Sequence, residues 1–180
     1  MKQHFTVLTF LLLGMFGPLA TVVSQEIDIL ESTVDGTVFK VDWVGTFNNK
    51  VTNQRPEPTT ASGTVSVIGE MVPVEMKTKV LAEIGSSFGI RFRVSGSAEL
   101  PNESSVELVK VVHFPNIYRD KKQNSTTRYS ISRITPNLNA VSGTGYSFDS
   151  AEEVLPGQWT ISLVFKGTVV LRVSFDVVEK

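Results

Sequence analysis

The segment Gln158–Val177, QWTISLVFKGTVVLRVSFDV, decides the fold class of this chain. Apolar and polar residues alternate in two runs, which Lys166, Gly167 and Thr168 separate. A period of two places every second side chain on the same face of a β-strand. The apolar face consists of Trp159, Ile161, Leu163 and Phe165 in the first run, and of Val169, Leu171, Val173, Phe175 and Val177 in the second. Because glycine accepts the backbone angles of a tight turn, the segment predicts a β-hairpin with one buried face.

The same alternation recurs in two earlier segments. Between Thr37 and Phe47 it predicts an inner face of Phe39, Val41, Trp43 and Phe47, and further along an inner face of Phe88, Ile90, Phe92 and Val94. Weaker strands are expected at 27–30, 64–68, 72–76, 106–114, 128–134 and 146–148. The segment Val106–Phe114 is apolar on both faces apart from Glu107 and Lys110, which favours a central position in a sheet.

These patterns predict an all-β architecture. About eight to ten short strands without crossover helices are typical of an antiparallel, immunoglobulin-like β-sandwich, with a barrel as the alternative. Residues 77–84 indicate at most one or two turns of helix. We expect residues 25–180 to form one sandwich domain with two long connections, at 48–62 and at 116–127.

The first 24 residues have the layout of a secretory signal peptide. Lys2 and His4 precede an apolar run, Phe5–Phe16, and small residues follow the helix breakers Gly17 and Pro18. The run is shorter than the roughly 20 residues that span a bilayer. We therefore predict cleavage after Ser24, or alternatively after Ala20, a periplasmic or extracellular protein, and no stable membrane insertion after cleavage.

The segment Leu155–Trp159, LPGQW, resembles the corner at which immunoglobulin-like sandwiches pass from one sheet to the other. Such corners normally carry a tyrosine whose hydroxyl binds backbone upstream. Here Trp159 has only an indole N–H to donate, so the sequence leaves the equivalent hydrogen bond open. The residues expected to have structural roles are Phe88, Phe92, Pro156, Gly157, Trp159 and Phe175.

Five phrases occur in order along the chain: Ile84–Phe92 (IGSSFGIRF), His113–Pro115 (HFP), Tyr146–Asp149 (YSFD), Leu155–Trp159 (LPGQW) and Val173–Val177 (VSFDV). Together they resemble an uncharacterised family of secreted bacterial proteins that is classed as a domain of unknown function. The resemblance covers nearly all of the chain after the leader. It implies an exported bacterial all-β protein without an assigned activity or site. It also implies a proline at position 81, where this chain has Leu81.

Composition excludes several functions. The chain has 17 basic and 18 acidic residues, so it lacks the basic excess that nucleic-acid binding needs. Without cysteine it forms no disulfide, thiolate metal site or thiol nucleophile. After removal of the leader His113 is the only histidine, too few for a serine triad or a histidine-bound zinc. We expect no cofactor and no metal, and we favour a protein without enzymatic activity over an enzyme.

Two charged clusters are candidate binding residues. One is acidic and precedes the corner, with Asp149, Glu152 and Glu153, and whether it binds a metal is open. The other is basic, with Arg119, Lys121 and Lys122. The favoured hypothesis is a non-catalytic module that recognises a protein or carbohydrate through loops or a sheet edge. The alternative is a secreted, glycosidase-like hydrolase that uses acidic residues only, and homo-oligomers through edge-strand pairing are a further expectation.

Overall fold

The computed structural model describes residues 28–56, 64–96, 105–120 and 125–180. The predicted signal peptide, residues 1–24, lies outside the described residues. The described ranges contain ten β-strands and one short 3-10 helix, Ala151–Glu153. The strands are β1 (Glu31–Val34), β2 (Thr37–Pro56), β3 (Thr64–Glu75), β4 (Lys79–Leu81), β5 (Ser87–Ser95), β6 (Leu108–Asp120), β7 (Ser125–Ile134), β8 (Val141–Ser147), β9 (Gly157–Phe165) and β10 (Thr168–Val178).

The strands form two sheets of five. The first has the order β1-β2-β5-β8, and β3 pairs with the second half of β2. The second has the order β4-β10-β9-β6-β7. All described pairings are antiparallel except that of β4 with β10. The prediction of an antiparallel β-sandwich is confirmed, and residues 77–84 form β4 and a turn instead of a helix.

Aromatic side chains join the two sheets. Phe88 of β5 lies 4.9 Å from Phe175 of β10 and 5.7 Å from Trp159 of β9, measured between ring centroids. At the other end of the core, Phe39 of β2 lies 5.2 Å from Phe165 of β9. All of these rings are buried. Edge-on and tilted ring pairs of this kind stabilise a core beyond the burial of their area, by about 0.5–1.5 kcal/mol each.

The β9–β10 hairpin turns at Lys166 and Gly167, which both have positive φ angles, 49° and 80°. These angles match the right-handed twist of the two strands. The alternation is not perfect, because Val170 is an extra residue opposite β9 and is also fully buried. This bulge shifts the pairing register by one residue, an insertion that apolar periodicity alone does not reveal.

A second bulge corrects the prediction for Trp43 and Phe47. The partners of β2 on β5 change register between Val41 and Trp43, so Asp42 has no opposite residue in the pairing of these two strands. The faces of the strand exchange at this point. Trp43 therefore lies on the outer face opposite Arg91, and Phe47 packs outside the central core, where its ring meets Gly145.

The two long connections predicted from sequence are largely strand. Strand β2 continues to Pro56 and pairs with β3, and β6 continues to Asp120 and pairs with β7. Their sequences are polar, and a polar strand lacks the alternation that identifies a half-buried one. The extended β2–β3 hairpin lies along β8, since Asn49 donates to the Ser147 hydroxyl at 2.8 Å and Met71 contacts Gly143.

The corner before β9 forms the hydrogen bond that the sequence left open. The indole Nε1 of Trp159 donates to the carbonyl oxygen of Leu155 at 2.7 Å. Gly157 has a φ of 126°, and a Cβ atom there would lie 2.6 Å from Cβ of Pro115. Both its backbone angle and its close contact therefore require glycine. Phe88, Phe92, Trp159 and Phe175 are fully buried, whereas Pro156 is exposed on the turn.

Candidate functional site

Exposed apolar side chains concentrate in one part of the described chain. Eight large hydrophobic residues in the described ranges are exposed, and five of them fall between Val72 and Ile84. The most exposed are Met76, Ile84 and Val74, at 71%, 61% and 60%. Single exposed apolar residues are ordinary, but a cluster marks a binding surface more often than chance.

Three of these five side chains line the same cavity, which we call the β3–β5 cleft. It has a volume of about 310 Å³ and lies between the end of β3 and the segment that leads from β4 into β5. Buried Phe47 and Val80 contribute to its lining, and exposed Val74, Leu81 and Ile84 surround them. The remaining described lining residues are Thr46, Asn48, Lys77, Glu83, Gly85, Ser86 and Ser87. The lining thus combines exposed aliphatic side chains with a larger share of polar groups, a mixture that also occurs in protein interfaces.

Local structure explains why these side chains face solvent. Strand β4 has three residues and alternates, with Val80 buried and Leu81 exposed. The following turn is fixed at both ends, because Ala82 N–H donates to Val178 O and Gly85 N–H donates to Phe148 O. Gly85 has a φ of 92°, which permits the sharp turn that holds Ile84 at the surface.

A salt bridge lies beside the cleft. Lys77 Nζ lies 2.6 Å from Glu75 Oε2, and both side chains are exposed. Exposed ion pairs of this kind contribute little to stability, typically about 0–1 kcal/mol. The pair therefore gives the rim a mixed polar character and contributes little to holding the cleft in shape.

The acidic candidates occupy different environments. Glu153 is buried, and its Oε2 accepts the backbone N–H groups of Asp149 at 2.7 Å and Ser150 at 3.1 Å. Its Oε1 accepts the Tyr146 hydroxyl at 3.4 Å. Asp149 and Glu152 are exposed. Glu153 thus caps the 3-10 helix, and its carboxylate is oriented towards the protein's own donors.

Burial changes the acidity of two of these groups. Desolvation raises the pKa of Glu153, an effect that the negative charge of Asp149 strengthens and the two backbone N–H donors oppose. Desolvation also raises the pKa of Asp149. Within the described ranges, no three histidine, aspartate or glutamate side chains come together in a way that suits a metal ion.

The basic candidates are only partly described. Arg119 lies in β6, where its backbone pairs with Thr126 of β7, and Lys121 and Lys122 lie outside the described residues. His113 is exposed on the outer face of β6, with its ring 6.2 Å from that of Tyr129. A binding role for the basic cluster remains a prediction.

At two sheet edges a backbone carbonyl accepts a hydrogen bond from a cationic side chain that the sequence did not assign to a site. Lys110 Nζ donates to the backbone oxygen of Gly145 in β8 at 3.1 Å, and Arg55 Nη2 donates to that of Arg133 in β7 at 3.1 Å. A side chain bonded to an edge carbonyl competes with an added strand at that position. The sequence signal for Lys110 was its place in an otherwise apolar strand.

Within the described ranges no helix has the length and hydropathy to cross a bilayer. Among curated proteins, none matches this sequence. The fold is similar to that of an immunoglobulin-like protein, PA1606, from Pseudomonas aeruginosa, at a TM-score of 0.52 and 19% identity over 78% of this chain and 96% of that one. The model of the family described as "Domain of unknown function (DUF3859)" matches residues 36–177, and the chain belongs to that family.

Proposed function

We propose that this protein is a non-catalytic interaction module that recognises a protein partner through the β3–β5 cleft. The observation that carries the proposal is the convergence of Val74, Leu81 and Ile84, all exposed, on one cavity of about 310 Å³. Covering these side chains removes apolar surface from water, at roughly 25 cal/mol for each Å². An apolar side chain of a partner would cover these three residues, and the partner's backbone would bond to polar lining groups such as Asn48 and Ser86.

The lining favours a protein over a carbohydrate. The described exposed apolar groups in the cleft are the aliphatic side chains of Val74, Leu81 and Ile84, and the one aromatic ring in the lining, Phe47, is 3% exposed. A sugar presents mostly hydroxyl groups, which lose hydrogen bonds to water against an aliphatic surface. A partner's leucine, methionine or phenylalanine loses none.

The chemistry of the lining supports binding without catalysis. Lys77 and Glu83 are the ionisable side chains among its described residues, and Lys77 is paired with Glu75. General acid and base catalysis needs ionisable groups positioned on either side of a reacting bond. The alternative, an acid-only hydrolase, would have to use Asp149, Glu152 or Glu153, and Glu153 already accepts three hydrogen bonds from the protein.

Peptide selection tests the proposal. A displayed library of random peptides is selected against the mature chain and against a variant with Leu81→Thr and Ile84→Asp. We expect peptides with a large apolar residue to bind the unchanged chain and to lose at least about tenfold in affinity on the variant. Peptides that bind both proteins equally would overturn the proposal. Leu30→Asp, at an exposed leucine outside the cleft, is the matched control.

A further inference from the structure

A second site lies inside the sandwich, at a cavity that shares no described lining residue with the β3–β5 cleft. Lys110 occupies an inward position of β6, because the residues two before and two after it, Leu108 and Val112, are both fully buried. Its Nζ donates to the backbone oxygen of Gly145 at 3.1 Å. None of the ion pairs between described side chains includes Lys110. The half-buried side chain of Lys110 therefore reaches from β6 to β8 without a described counter-charge.

A buried hydroxyl without a partner lies beside this cation. Ser132 of β7 is directly opposite Lys110 in the strand pairing, which places both side chains on the same face of the sheet. Ser132 is 2% exposed, and its Oγ has no hydrogen-bond partner. The register makes Lys110 and Ser132 neighbours, and buried polar groups are nearly always bonded. An anion between them would give the Ser132 hydroxyl the acceptor that it lacks.

A small cavity lies near these residues, in the gap between β7 of one sheet and β8 of the other. It has a volume of about 210 Å³, and its described lining is Phe92, Ile134, Thr135, Pro136, Ser142 and Gly143. Ile134 is two residues beyond Ser132 in β7, and Gly143 is two residues before Gly145 in β8. Two strand residues span about 7 Å. The cavity therefore lies about 7 Å along β7 from Ser132 and about 7 Å along β8 from Gly145, the residue that Lys110 contacts.

We propose that the gap between β7 and β8 binds a short-chain carboxylic acid. The carboxylate accepts hydrogen bonds from Lys110 and Ser132. The hydrocarbon chain extends towards the cavity, against Phe92 and Ile134. A charged hydrogen bond and an apolar contact about 7 Å apart match an acid with a chain of about four to six carbons.

Lys110 has to be protonated in order to bind a carboxylate, because only the ammonium form attracts an anion. Burial lowers the pKa of Lys110 to about 8, so the amine is mostly charged near neutral pH. Among the residues that the structure describes, the other titratable groups on the inner side of β8 and the 3-10 helix are Tyr146 and Glu153, which bond to each other. Strands β7 and β9 present Ser132 and Leu163 next to Lys110. A bound carboxylate stabilises the ammonium form, so affinity falls as pH rises above about 8.

Titration of the isotope-labelled mature chain with sodium hexanoate, followed by NMR, tests the site. We expect shifts of the amide signals of Ser132, Gly143 and Gly145 that saturate, and affinity that falls by at least about tenfold in Lys110→Met. Hexylamine, which has the same chain and the opposite charge, should give no such shifts. Ser132→Ala should weaken binding by roughly three- to tenfold, and Lys79→Met, at an exposed lysine of β4, should leave it unchanged.

Three results would overturn the proposal. The first is that hexanoate shifts no signal in the gap. The second is that Lys110→Met, shown to be folded by its thermal unfolding transition, binds hexanoate as the unchanged chain does. The third is that hexylamine binds equally well, which would indicate apolar contact alone. None of these results depends on the β3–β5 cleft, because Leu81 and Ile84 take no part in this site.

Discussion

The indole Nε1 of Trp159 lies 2.7 Å from the carbonyl oxygen of Leu155, four residues upstream. Tryptophan thus makes in this family member the bond that a tyrosine hydroxyl makes at the corner of immunoglobulin-like domains. The ring also lies 4.9 Å from Phe114 and 5.3 Å from Phe148. The same side chain therefore fixes the turn and fills the core.

Replacing Trp159 by phenylalanine keeps an aromatic ring but removes the donor. We expect a loss of about 2–4 kcal/mol in the free energy of unfolding, because a buried carbonyl loses its partner and the smaller ring leaves space. Urea unfolding of the two proteins measures this loss of free energy. Trp43→Phe is the matched control, since Trp43 lies on the outer face, and it should cost less than half as much. Equal losses in the two variants would contradict the role of the corner.

Gly157→Ala tests the backbone of the same corner. The new Cβ atom would lie 2.6 Å from Cβ of Pro115, and alanine would have to adopt a φ of 126°. Gly167→Ala introduces a positive-φ alanine as well, but nothing lies within 4 Å of its Cβ. We expect Gly167→Ala to cost about 1–2 kcal/mol of stability and Gly157→Ala to cost clearly more. Similar melting temperatures for the two variants would show that the Pro115 contact is unimportant.

Lys110 makes the stability of the protein depend on pH. Its pKa falls from 10.5 in the unfolded chain to about 8. Because the folded state releases this proton first, stability rises as pH increases from about 8 to about 10, and the cost of the buried charge is complete below about 8. In Lys110→Met that rise should be absent, and at about pH 7 the variant should be more stable by about 1–3 kcal/mol. Urea unfolding at both pH values checks this, and parallel curves for the two proteins would contradict it.

Glu153 should produce the opposite dependence in the acid range. Its pKa is raised by desolvation, so the folded state retains this proton at higher pH than the unfolded chain does. The stabilisation is complete below the ordinary value of 4.5 and is lost as pH rises through the raised pKa. Glu153→Gln should remove this slope, whereas Glu152→Gln, at an exposed position, should change it less. Unfolding measured by circular dichroism from about pH 4 to about pH 7 tests the difference.

The fold class was accessible from sequence because alternation is a local signal. The runs that end at Phe165 and Val94 identify strands with one buried face, and the structure has those faces in its core. The register was not accessible. The bulges at Asp42 and Val170 depend on which residues of a neighbouring strand lie opposite, and the bulge at Asp42 turns Trp43 to the outer face.

The candidate sites were harder to predict for a related reason. The β3–β5 cleft joins Val74, Leu81 and Ile84 with Phe47, which is distant in sequence. Exposure of an apolar residue is invisible in a sequence, because a buried and an exposed valine have the same letter. Lys110 did leave a signal, as a lysine at an inward position of an apolar strand, but its meaning required the opposing Ser132.

The most direct test of the central claim is the chemical-shift map of one selected peptide on the protein. If the β3–β5 cleft is the recognition site, amide signals of Val74, Leu81, Ile84 and Gly85 should shift and saturate together. The same peptide should give no saturating shifts with the Leu81→Thr, Ile84→Asp variant. Saturating shifts confined to another surface, or binding that survives both substitutions, would contradict the account.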